Sequence, residues 1–222
     1  MYGWVGVVVC LTFGFDSRPP VPVARSSALR PVRAEIEQLV EELARDGLPV
    51  ELVVRKVREG QAKGVAAARV LAAARAVAAD VRLADRVVRK HFSRPGRRAQ
   101  MIRAAVAAHR AGVSLADIDR VVAAAAAVGA ELTEPALYAA ADLAGRGYRP
   151  GRSTDLVVAL LGRPQGAAEL PRALAAVEAA RAGGAESRPA ALDAVLEAVE
   201  AGATLAVVPG GRGWFEPGSQ QR

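Results

Sequence analysis

A single cysteine, Cys10, stands in the whole chain, so no disulfide can form within it. It sits in an N-terminal apolar run and says little about the redox compartment of the rest. Aromatic residues make up only 4% of the sequence, too few for a base-stacking platform. There are two histidines, His91 and His109, and neither has a histidine, cysteine or carboxylate at ligand spacing, so no metal site is predicted. One of them is expected to be exposed and the other to pack or cap. The longest apolar run, Val5 to Phe15, is broken only by Thr12 and is too short to cross a bilayer as a helix.

Catalytic constellations are equally scarce. No serine lies in a nucleophile-elbow context, and Gly210-Gly211-Arg212-Gly213 follows no motif that opens a helix. Asp117 and Asp119 are two apart on a predicted helix and so face different ways, which argues against a carboxylate pair. No catalytic, cofactor-binding or metal-binding residue is therefore predicted. The reading leans away from an enzyme, and an enzymatic alternative would need a site assembled from scattered residues.

What is abundant is alanine, within a hydrophobic content of 52%. Alanine is the best helix former but offers little area to bury, so the core should rely on close helix approach more than on large side chains. From Pro31, the residues Val32, Ile36, Leu39, Val40 and Leu43 fall at helical spacing, with Glu35, Glu37, Glu41 and Glu42 on other faces. Pro49 and Glu51 suit the first turn of a second helix. Longer helices follow over 65–90, 97–110 and from Ser114 to Gly129, with Ser114 and Asp117 forming a capping box. Thr133 should cap the next helix, and further helices are predicted over 154–161, 168–181 and 189–201.

Glycine punctuates this pattern. Gly47 to Gly64 and Gly112 to Gly129 are steps of 17 residues, Gly129 to Gly147 is one of 18, and each glycine is followed by Leu48, Val65, Val113, Ala130 or Tyr148. Glu51-Leu52-Val53-Val54 also recurs as Asp155-Leu156-Val157-Val158. Each step is a helix plus a corner at which glycine supplies the left-handed residue, and two steps make a hairpin of about 35 residues. The predicted fold is all-α, about eight short helices in antiparallel hairpins, packed as a bundle or a short solenoid. Residues 1–28 are read as a leader, 29–92 and 97–205 as two helical halves divided at Ser93-Arg94-Pro95-Gly96, and 206–222 as a flexible tail whose Trp214-Phe215 could dock elsewhere.

The leader has the length of a secretory h-region, and Ser26-Ser27-Ala28 offers small residues for cleavage. No lysine or arginine precedes the run, and the cleavage site lies far beyond it; the alternatives are a disordered leader or a mis-called start. Export is the preferred expectation. Gly47-Leu48-Pro49-Val50-Glu51-Leu52, continuing through Lys56, Glu59-Gly60 and Lys63-Gly64-Val65, resembles a segment of exported bacterial helical proteins without an assigned activity. The resemblance covers under a tenth of the chain and implies export and helical hairpins, but no reaction. Lys56, Glu59 and Lys63 are read as a solvated face paired at i,i+3 and i,i+4; a functional reading would make them an anion or peptide contact.

The net charge of +7 is local. Between residues 82 and 110 the cations Arg82, Arg86, Arg89, Lys90, Arg94, Arg97, Arg98, Arg103 and Arg110 face one acid, Asp85, for a local +8. The first eight are the candidate anion-binding patch, with an acidic protein or another polyanion as the partner. Phe92 is the one aromatic among them, and a plain solvated basic surface is the competing reading. Ala108, Gly112, Ile118 and Val121 also occupy helix-turn-helix offsets, and Met101 to Leu115 resembles the centre of some bacterial DNA-binding regulators. The would-be reading helix carries Asp117, Asp119 and five consecutive alanines, a poor surface for phosphates or base edges. The expected role is a non-enzymatic, exported binding or scaffold protein; the alternative is a cytoplasmic nucleic-acid binder using the 82–110 patch.

Overall fold

The apolar stripe predicted for the first helix is the one the computed structural model buries: Ile36, Val40 and Leu43 of α1 (Arg33–Arg45) face inward, and Glu35 and Glu41 stay exposed. The structure describes residues 27–92, 97–205 and 215–216. The leader before Ser27, the break at 93–96 and most of the predicted tail lie outside the described residues. A 3-10 turn, Ser27–Val32, precedes α1. After it come α2 (Glu51–Ala62), α3 (Ala67–His91), α4 (Arg98–Arg110), α5 (Leu115–Val128), α6 (Thr133–Gly145) and α7 (Pro150–Leu161). A four-residue turn, α8 (Gly166–Glu169), leads to α9 (Ala173–Ala182) and α10 (Arg188–Glu200). The fold is all-α. Among the described residues, strand pairing is confined to two-residue segments, Thr204–Leu205 antiparallel to Phe215–Glu216.

The corners have one construction, seen plainly at Gly47. Its φ of 67° is left-handed, its N–H bonds to Ala44 O at 3.0 Å, and the Leu48 N–H reaches back to Leu43 O at 2.8 Å. This pair of bonds satisfies carbonyls that the helix end would leave bare. The pattern repeats at Gly64, Gly112, Gly147, Gly184 and Gly202, all with positive φ. It explains why an apolar residue follows the glycine: Leu48, Val113 and Tyr148 are turned back into the core, at 6%, 1% and 2% exposure.

Helices joined by these corners turn back on one another, and alternate helices stack. One layer runs α1, α3, α5, α7, α10, and α4, α6 and α9 stack in the other. That order is the short solenoid rather than a closed bundle. The α4–α6 pair has the most extensive contact in the molecule. It is built from alanines: Ala104, Ala105 and Ala108 of α4 and Ala136 and Ala140 of α6 are fully buried. A single core cluster extends from Leu29 to Leu205.

Several local expectations are corrected. Gly129 has an extended backbone (φ 171°), and a 3-10 turn, Ala130–Leu132, follows it, so α5 ends without a left-handed residue. The 17-residue step holds from Gly47 to Gly64, but the next such pair of left-handed corners, Gly112 and Gly147, is 35 residues apart, one whole hairpin. Because that 3-10 turn runs straight into α6, Thr133 is already helical (φ −61°) and cannot cap; its side chain is buried with Oγ1 unbonded. The helix expected over 168–181 is split at Pro171, which lacks an N–H, into α8, a 3-10 turn and α9. The one expected from Thr154 starts earlier, with Pro150 in its first turn.

Candidate functional site

The basic segment takes in the last ten residues of α3 and all of α4, and the stacking brings acids from elsewhere onto it. Arg82 meets Glu42 of α1 at 2.9 Å, and Arg89 and Arg98 both reach Asp85, at 2.9 and 2.6 Å. Lys90 lies 3.3 Å from Asp119 of α5, Arg110 lies 3.0 Å from Asp80, and Arg103 pairs with Glu51 of α2. Arg86 and Arg97 are exposed and form no ion pair among the described residues; Arg94 lies outside them. Six of the nine cations thus have a carboxylate partner, and four of the five acids involved lie outside the segment.

The arrangement also makes something the sequence does not announce. α2 and α4 both pack against α3 but scarcely touch each other. An open groove of about 130 Å³ lies between them. Its floor is Leu52, Val106 and Ala107; its walls carry Arg55 and Lys56 from α2 and Arg103 and Arg110 from α4, with Glu59 as the one acid in the lining. Two separate features of the sequence, the Lys56–Lys63 segment and the basic run, therefore meet at one place. Arg55 was not singled out from the sequence, although it adjoins Lys56; only the facing helix gives it a role. No serine, cysteine or histidine lines the groove.

Glu59 reports the local field. Its carboxylate accepts from Lys63 Nζ at 2.6 Å and Lys56 Nζ at 3.0 Å, the i,i+4 and i,i+3 pairing expected of this face. Those two ammonium groups, Lys63 first, hold its pKa down at about 2.

The remaining candidates separate in space. Asp117 bonds Arg120 and Asp119 turns to His91 and Lys90, so the two carboxylates do face different ways. Neither histidine is exposed: the His91 ring lies 2.9 Å from Asp119, and His109 Nδ1 approaches Val113 O at 3.3 Å, which corrects the expectation of one surface histidine. Ser114 caps α5 by accepting the Asp117 N–H at 3.1 Å. The would-be reading helix, α5, packs against α3, α6 and α7, and its exposed positions include Ala116, Arg120, Ala123 and Ala127. Arg120 is taken up by Asp155 and Asp117. Asp155 and Glu51, equivalent in the recurring tetrapeptide, each bridge to an arginine on a neighbouring helix. Among the described residues there is no cluster of three potential metal ligands, and no helix is long and apolar enough to cross a membrane.

No family model, curated protein or solved structure matches the chain.

Proposed function

We propose that the chain is a non-enzymatic helical scaffold, exported from the cell, that binds an acidic partner through its basic α2–α4 face. The observation that carries this reading is the groove itself: four cations from two helices border one cleft whose lining holds a single acid. Stacked hairpins commonly present such concave surfaces to partners. Export draws on the N-terminal apolar run and on the resemblance of the Gly47–Val65 segment to exported helical proteins. The nucleic-acid alternative is weaker because α5 offers alanines where base-reading side chains are needed.

The test pairs two polyanions. Full-length protein is titrated with polyglutamate and with duplex DNA while salt is raised from about 50 to about 200 mM. Saturable, salt-sensitive binding to polyglutamate supports the reading, and preference for the duplex with a steep salt slope supports the alternative. Indifference to both removes the acidic-partner role. Export is checked by fractionating the host and sequencing the N-terminus, with processing expected between Ser26 and Arg30.

A further inference from the structure

We propose that the α2–α4 groove is a site for one compact oxyanion, a phosphate or sulfate group, gripped by Arg55 and Lys56 from one wall and Arg103 and Arg110 from the other. The inference rests on the binding role proposed above and narrows it to a ligand chemistry and four residues.

Charge comes first. Four cations against Glu59 leave the lining at net +3. Arg55 is exposed and forms no ion pair among the described residues. Lys56, Arg103 and Arg110 each hold one carboxylate. A guanidinium has five N–H donors and an ammonium three, so one carboxylate leaves donors over. Exposed ion pairs are worth at most about 1 kcal/mol, so these side chains can turn toward an incoming dianion at little cost.

Size comes second. The groove's volume of about 130 Å³ is several times the roughly 15 Å³ that one water needs on the same measure, enough for a small polyatomic ion. A tetrahedral ion with four oxygens fits that space. The walls are also preorganised: α2 and α4 are each fixed by packing on α3, so the groove neither closes in the absence of ligand nor has to be opened for it. The apolar floor of Leu52, Val106 and Ala107 removes water from one side and strengthens the charge interaction.

Glu59 supplies a test built into the protein. Its carboxylate occupies Lys56 at the lip of the groove and so competes with any anion that enters. Taking that charge away should tighten binding, the opposite of what removing the cations should do.

Full-length protein is titrated with inorganic phosphate, and in a second arm with glycerol 3-phosphate, at fixed ionic strength in a chloride buffer. Heat and amide NMR shifts are followed together. Saturable one-to-one binding is expected, with shifts centred on α2 and α4. R55Q/R103Q should weaken it by about tenfold or more, and E59Q should tighten it several-fold. R86Q/R97Q, outside the groove, should leave it unchanged. R55Q alone breaks no hydrogen bond or ion pair among the described residues and keeps the test readable if the double variant loses helicity. Tighter binding of the ester marks a phosphoryl group carried on a larger molecule, and equal or weaker binding marks the free ion; either supports the site. Non-saturable shifts, equal binding by R55Q and wild type, or loss in R86Q/R97Q would overturn it. If phosphate binds as described while polyglutamate does not, the acidic-partner role falls and the groove stands; salt-sensitive polyglutamate binding that never involves the groove does the reverse.

Discussion

Asp85 of α3 receives the Arg98 guanidinium of α4 at 2.6 Å, joining the two basic helices on either side of residues 93–96. Asp85 is 6% exposed, and Arg89 reaches its other oxygen at 2.9 Å. A buried carboxylate shared by two arginines costs much to break from one side, because Arg98, half-buried with its side chain 18% exposed, would be left without its carboxylate. Asp85→Asn should therefore lower stability by about 3 kcal/mol, read from the midpoint of urea unfolding at unchanged slope. Arg89→Gln, whose side chain is 54% exposed, should cost less than about 1 kcal/mol. Equal losses in the two variants would show that burial does not set the strength of this pair.

Glycine substitutions should split by sign. Gly47 has φ +67°, so an alanine there is strained although nothing lies within 4 Å of its Cβ; a loss of about 1 kcal/mol or more is expected. Gly145 ends α6 with no positive φ and equally open space, so Gly145→Ala should gain a few tenths to about 1 kcal/mol. Thermal or urea unfolding of the pair measures both at once. Two changes in the same direction would mean that the corner geometry is not what the glycines provide.

These corners were legible in the sequence because two independent requirements fall side by side: a residue that tolerates positive φ, then an apolar one to turn inward. Gly129 misled because it meets both requirements in composition while its backbone is extended; composition does not reveal φ. The long-range pairs were illegible for a different reason. Glu42, Glu51 and Asp80 lie 40, 52 and 30 residues from Arg82, Arg103 and Arg110, and only the stacking register sets them opposite one another. That is why a run of +8 in the sequence becomes a surface with most of its cations engaged, and why Arg55 gained a role only when α4 was placed across from it.

Acid should also weaken the α3–α5 contact, through Asp119. Asp119 is held below the usual carboxylate range, mainly by its hydrogen bond with His91 and less by Lys90. A depressed folded-state pKa adds stability that is fully present above the unfolded value of about 3.9 and is lost as pH falls through the lower folded value. His91→Ala should thus be less stable than wild type near neutrality, and the gap should close below about pH 4. Denaturation at a series of pH values measures it. A gap that stays constant down to the acid limit would assign the effect of His91 to packing rather than to Asp119.

The alanine-built contact between α4 and α6 allows one further test. Ala140 is fully buried on α6, in the pair of helices with the most extensive contact. Ala140→Leu has to push the helices apart or force a strained rotamer, at a cost of about 1–3 kcal/mol. Ala123 lies on the exposed face of α5, where the same substitution should fall within about 0.5 kcal/mol of neutral. Because leucine and alanine have similar helix propensity, the difference between the two sites isolates packing. If the core tolerated leucine at 140 as well as the surface does at 123, close helix approach would not be what holds this alanine-rich fold together, and the spacing that leaves the basic groove open between α2 and α4 would need another cause.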